Sequence, residues 1–146
     1  MALSDEQKQA VQDTWAQVVP IADTAAELFY GRLFELDPAL QRLFHTTDMK
    51  EQRKKLMQTL GVAVSGLDRP VQLTPVLEDL ARRHVQYGVK EKDYDTVGAA
   101  LLWTLERGLG EAFTPFVRDA WAETYRLVAG IMRSAAYDGH STQATA

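Results

Sequence analysis

The chain has 146 residues, 46% of them apolar, and a net charge of −4, which suits one domain with a continuous core. Its basic residues are interleaved with acidic ones, so the sequence shows no stripe for tracking a phosphate backbone, and nucleic acid is not an expected partner. With no cysteine, disulfides, thiolate zinc sites, cysteine-ligated iron–sulfur clusters and a cysteine nucleophile are excluded, leaving His, carboxylate or Met to hold any metal.

The opening residues, Met1-Ala2-Leu3-Ser4-Asp5-Glu6-Gln7, have neither the basic start nor the apolar stretch of a signal peptide, and no later run is long and apolar enough to span a bilayer. The expectation is a cytoplasmic protein. Ser4 with Gln7 has the form of a capping box and opens an amphipathic helix carrying Val11, Trp15, Val18 and Val19. Pro20 marks the start of a second helix bearing Ile21, Leu28, Phe29, Leu33 and Phe34. It should end before Asp37-Pro38, because a residue preceding proline is pushed out of helical geometry. A turn with Leu43-Phe44 follows. From Met49, the spacing of Leu56, Met57, Leu60 and Val64 predicts a third helix ending at Gly66. Thr74-Pro75 reads as an N-cap with proline in the first turn, opening a helix through Leu77, Leu80, Ala81 and His84 to Gly88. Asp93 reads as the cap of a helix with Val97, Leu101, Leu102, Leu105 and Leu109, closed by Gly108 and Gly110. Thr114-Pro115 opens the last helix, striped with Ala120, Trp121, Thr124, Leu127, Val128 and Ile131. The pattern is all-α, and residues 138–146 read as a small, polar, disordered tail.

The three histidines sit in unlike surroundings. His140 falls in the polar tail, and His45 follows Leu43-Phe44 in a loop, either exposed or near the edge of a bound cofactor. His84 shares a helical face with Leu77, Leu80 and Ala81, so its imidazole points where the core should be. Two readings are open there, a hydrogen-bonded core histidine or a metal ligand. A ligand would need its other ring nitrogen to donate to a carbonyl, and that of Leu80, one turn earlier, is the nearest. Tyr30 carries a hydroxyl into an apolar stripe, and Gln52 puts an amide one turn before Leu56; each has a surface reading and a buried one. No strained serine elbow, glycine-rich phosphate loop or pair of carboxylates on an apolar face is present.

The order of several motifs resembles bacterial haemoglobins and the globin domains of flavohaemoglobins over nearly the whole chain. These are Leu28-Phe29-Tyr30 with Leu33-Phe34, Asp37-Pro38, Leu43-Phe44, Glu51-Gln52 with Leu56, and His84-Val85-Gln86-Tyr87-Gly88-Val89. Asp93-Tyr94, Val97-Gly98 and Asp119-Ala120-Trp121 with Tyr125 complete the set. The resemblance implies a globin fold over residues 1–137, a helical sandwich around a haem cleft, with haem b (iron protoporphyrin IX) as cofactor. It makes His84 the iron ligand, Phe44 the aromatic packed on the haem, Tyr30 and Gln52 the polar pair on the ligand side, and Leu56 the apolar wall there. Val89, Tyr94, Val97 and Tyr125 become further haem contacts, and Lys55, Arg53 and Arg83 candidate cations for the propionates.

The implied function is reversible binding of oxygen, with carbon monoxide and nitric oxide as further ligands. Nitric oxide dioxygenation with a separate reductase is the alternative, and a haem-based gas sensor a third. One departure bears on the enzyme reading. Flavohaemoglobins carry a glutamate in the last helix beside the iron-binding histidine, whereas this chain reads Ser134-Ala135-Ala136-Tyr137. Without that acid His84 should donate less electron density to iron.

Overall fold

The computed structural model describes residues 3–138. Six α-helices make up most of this span: α1 (Asp5–Val18), α2 (Ala22–Leu36), α3 (Met49–Ser65), α4 (Pro70–Gln86), α5 (Asp93–Leu109) and α6 (Pro115–Arg133). No strand occurs among the described residues. Tight 3-10 turns at Val19–Ile21, Pro38–Phe44, Gly66–Asp68 and Gly110–Ala112 lie in every connection but that between α4 and α5, and a π-helical turn, Ser134–Asp138, follows α6.

Local chemistry sets most of the boundaries. Ser4 and Gln7 close the expected capping box, Asp48 caps α3 by accepting the Lys50 N–H, and Thr114 caps α6 by accepting that of Val117. Two expected starts are corrected. Helix α4 begins at Pro70 rather than at Thr74-Pro75, because Pro70 already has the φ of a first helical residue and the apolar stripe starts one turn earlier, at buried Leu73. The Thr74 hydroxyl donates back to the Pro70 carbonyl at 2.8 Å instead of capping. Pro75 therefore lies inside the helix and gives no N–H to the carbonyl of Val71, a residue 85% exposed, where water can replace it. Asp93 is likewise the first residue of α5 and not its cap; it is buried, and its carboxylate accepts the Lys90 N–H at 2.9 Å, fastening the preceding turn.

Burial falls into two clusters. The larger joins α1, α2, α5 and α6 through residues such as Val11, Leu33, Ala100, Leu105 and Trp121. A polar link inside it is satisfied: the Trp121 indole donates to the Thr14 hydroxyl at 2.9 Å, which donates to the Ala10 carbonyl. The smaller cluster holds α4 against α6 with Leu73, Leu77, Ala81, Ala129 and Met132. Helices α3 and α4 follow one another after a short turn yet are not among the well-packed pairs, whereas α2 packs on α5 and α4 on α6. Sequential helices usually touch. Here a cleft separates them.

Candidate functional site

The cleft holds a cavity of about 150 Å³. Helix α3 supplies Thr59, Leu60, Ala63 and Val64; α4 supplies Leu77, Leu80 and His84; the α4–α5 turn, α5 and α6 complete it with Val89, Tyr94, Val97, Tyr125 and Val128 among others. Its lining is almost wholly apolar. One imidazole, that of His84, joins a lining whose other side-chain heteroatoms are hydroxyls, the Met132 thioether and the Trp121 indole.

His84 is fixed from three directions. Its Nδ1 lies 2.8 Å from the Leu80 carbonyl, which can only accept, so Nδ1 carries the proton and Nε2 keeps its lone pair. Burial holds the imidazole below its ordinary pKa; the Leu80 carbonyl opposes this shift, and the neighbouring Arg83 charge adds to it, so the ring is neutral near pH 7. The backbone closes around it as well. Gly88, at φ +97°, terminates α4, and its N–H meets the Val85 carbonyl while the Val89 N–H meets the carbonyl of His84 itself, both at 3.0 Å. A side chain other than hydrogen at residue 88 would be strained in that conformation. The Tyr137 hydroxyl donates to the Val89 carbonyl at 3.0 Å and pins the turn from the other side.

Two more tyrosines lie in the lining. The Tyr125 hydroxyl donates to the backbone carbonyl of Tyr94. The Tyr94 hydroxyl is buried and has no partner among the described residues. Burial raises the pKa of both, that of Tyr94 to about 12, with the nearby Tyr137 adding to the shift and Arg133 opposing it. Gly98 makes the fit of Tyr125 possible, since a Cβ there would stand 2.7 Å from Tyr125 Cε2.

A separate polar pair lies at the junction of α2 and α3. The Gln52 amide donates to the Tyr30 hydroxyl at 3.0 Å. Tyr30 is buried among aromatic rings, with Phe29 at 5.0 Å and Phe44 at 5.5 Å, both edge-on. Burial pushes its pKa up while the Gln52 bond draws it down. Because Gln52 supplies the proton of that bond, Tyr30 keeps its own to give elsewhere.

The structure thus brings His84, Val89, Tyr94, Val97 and Tyr125 to one cavity and Tyr30, Phe44 and Gln52 to another cluster. Leu56 is half-buried and packs on the larger core. Lys55 and Arg83 are exposed and line no part of the cavity, and Arg83 pairs with Asp79 at 3.2 Å. His45 is exposed, and His140 lies outside the described residues. Thr59, Ala63, Ala129 and Met132 also line the cavity, and no signal in the sequence singles them out. Their neighbours Leu60, Val64, Leu77 and Val128 belong to apolar stripes, and periodicity marks a face as apolar without telling whether it meets a helix or a void.

Among the described residues no group of three His, Cys, Asp or Glu side chains could hold a bare metal ion. An ion taken by His84 would have to bring its remaining ligands with it, and apolar walls suit a flat macrocycle that does so. The lining fits a haem in both respects.

Comparison with known proteins decides the family: residues 27–132 match the globin family. The chain belongs to it. This globin is 33% identical over 143 residues to a neuroglobin of Tetraodon nigroviridis, covering 89% of the chain and 90% of the relative. It is 29% identical over 132 residues to a flavohemoprotein of Rhizobium meliloti (strain 1021), covering 89% of the chain and 33% of that longer relative. A flavohemoprotein of Rhodopirellula baltica (strain DSM 10527 / NCIMB 13988 / SH1) is 30% identical over 131 residues, with 32% of its length covered. The globin fold and haem-based gas binding go with the family, and no helix among the described residues is long and apolar enough to cross a membrane.

Proposed function

We propose that this globin holds haem b through His84 Nε2 and uses it to bind oxygen reversibly in the cytoplasm, as a store, carrier or buffer. The observation that carries the reading is the His84–Leu80 hydrogen bond, which fixes a neutral imidazole with its free lone pair on an apolar cavity. Ferrous haem, when bound, supplies an iron that takes a diatomic gas. His84 would ligate it, Phe44, Val89, Tyr94, Val97 and Tyr125 would pack on the macrocycle, and Lys55 with Arg83 would meet its propionates. The apolar lining keeps water and protons from the gas-binding face, and Leu56 would wall that face.

Tyr30 would donate its free proton to the bound gas, and Gln52 would hold the phenol oxygen in place rather than reach the gas itself. Nitric oxide turnover with a separate reductase is the second reading. The similarity to flavohemoproteins favours it, as the matched third of their length is the part shared with this chain.

The test is the absorption spectrum of the purified chain in ferric, dithionite-reduced, oxygen- and carbon monoxide-treated forms, repeated for His84→Ala. A haem spectrum that shifts with both gases and is lost or altered in the variant is expected. A wild-type chain that takes up no supplied haem would overturn the reading.

A further inference from the structure

Two arginines of different helices meet on one indole. Arg32 of α2 lies over the Trp103 ring with its guanidinium carbon 5.2 Å from the ring centre, and Arg107, one turn after Trp103 on α5, lies 4.7 Å from it. Stacking of this kind uses the flat face of a guanidinium and leaves its N–H edge to bond in the plane. The two carbons are no farther apart than those distances added together, so one small molecule can span them. Like charges held that close repel each other.

A second stack shows what completes such an arrangement. Arg133 of α6 lies over the Tyr94 ring at 5.6 Å, and its N–H edge is taken by the Asp95 carboxylate at 2.7 Å. Arg32 and Arg133 each bury an Nε that has no partner among the described residues, but in Arg133 the bond to Asp95 offsets that loss. Nothing among the described residues does the same for Arg32 and Arg107. Glu35 stands 3.9 Å from Arg32, beyond hydrogen-bond range, and Arg107 has no ion pair there. Trp103 is half-buried and Arg107 exposed, so the stack is open to solvent. It has an aromatic ring and two cations, and lacks the anion that its counterpart on Tyr94 holds.

We propose that Arg32, Trp103 and Arg107 form a binding site for a small molecule carrying two oxyanion groups, phosphate or carboxylate, one received by each guanidinium. The paired N–H donors of an arginine match the oxygens of either group. The indole keeps both cations in place beforehand, so less freedom is lost when the anion arrives. None of the three side chains lines the cavity, and the site is therefore independent of the haem reading. Because the chain carries a net charge of −4 and repels anions at long range, saturable capture of one has to come from a local cluster.

Binding is read by NMR on the purified chain, reduced, under carbon monoxide and at constant ionic strength. The signals are the Trp103 indole N–H and the Arg32 Nε–H, which burial protects from exchange with water. Inorganic pyrophosphate and succinate are the probes, and acetate and chloride the one-headed controls. The probes should shift both signals to saturation, with half-saturation at or below about 1 mM for the better of them. The Trp15 and Trp121 indoles should stay unmoved. Tighter pyrophosphate assigns a phosphate compound, and tighter succinate a dicarboxylate. Arg107→Gln, a change at an exposed residue, and Arg32→Gln should each weaken the better probe by about 10-fold. Trp103→Phe, which keeps a ring beneath the cations, should weaken it less.

Shifts that rise without saturating, or that chloride reproduces at equal ionic strength, would reduce the stack to ordinary screening of surface charge and overturn the proposal. Unchanged affinity in Arg107→Gln would do so as well, and so would shifts at Lys54 and Lys90 in place of Trp103. A chain that takes up no haem fails the reading of His84 and leaves this test as it stands.

Discussion

At the junction of α2 and α3 the buried Tyr30 hydroxyl accepts a hydrogen bond from the Gln52 amide, whereas in the cavity beside His84 the buried Tyr94 hydroxyl has no partner among the described residues. The tyrosines around Tyr94 are used differently again: Tyr125 and Tyr137 donate to the backbone carbonyls of Tyr94 and Val89. One region spends its polar atoms on a side-chain pair that leaves a proton to give. The other uses them to hold backbone in place. The contrast separates a side-chain pair that leaves one phenol proton unused from tyrosines that fix the backbone around the cavity, and substitutions should separate the two in the same way.

Gly98→Ala should have the largest effect on stability. Its methyl would stand 2.7 Å from the Tyr125 ring, so the ring must move and its bond to the Tyr94 carbonyl is lost. A loss of about 1–3 kcal/mol, read from the urea midpoint, is expected even though alanine is ordinarily the better helix former. An unchanged midpoint would show that Tyr125 does not brace the cavity.

Tyr30→Phe should lose about 1–1.5 kcal/mol of ligand stabilisation, seen as oxygen release roughly ten times faster with little change in the urea midpoint. The same off-rate in the variant would mean that the phenol proton points away from the gas. Gln52→Leu should speed release less, because Gln52 acts through Tyr30.

Tyr94→Phe should be neutral or stabilising by about 1 kcal/mol, since it removes a buried hydroxyl that makes no bond. The variant also tests the alkaline limb. The folded Tyr94 has its pKa raised from 10.0 to about 12, so the folded state holds this proton more tightly than the unfolded chain. Its contribution to stability is complete below pH 10 and lost as pH rises through about 12. Denaturation above pH 10 should therefore be less steep in Tyr94→Phe, and an identical slope would show that other groups carry it.

Gly31→Ala should have the smallest effect. A Cβ there meets nothing within 4 Å, so the substitution should gain about 0.5–1 kcal/mol through α2. Because Gly31 adjoins Tyr30 without touching the Gln52 bond, its oxygen release should match that of the parent.

The helices, most of their ends and the chemistry within reach of each are legible in the residues alone. Ser4 with Gln7, Asp37-Pro38, Gly66 and Thr114-Pro115 act within a few residues of themselves, so their effect can be read without the rest of the chain. The one-turn bond from His84 to Leu80 is local in the same sense. The starts of α4 and α5 were misread because two signals competed over a few residues, and burial of Leu73 and Asp93 selected between them. Packing between distant segments is what turns the Gln52 amide to Tyr30, leaves the Tyr94 hydroxyl without a partner among the described residues, and holds α3 and α4 apart around a cavity. It also brings Arg32 of α2 to the indole that Arg107 of α5 covers. Each of these depends on residues twenty or more positions apart meeting in space, and helical periodicity carries no information about which face another helix will leave uncovered.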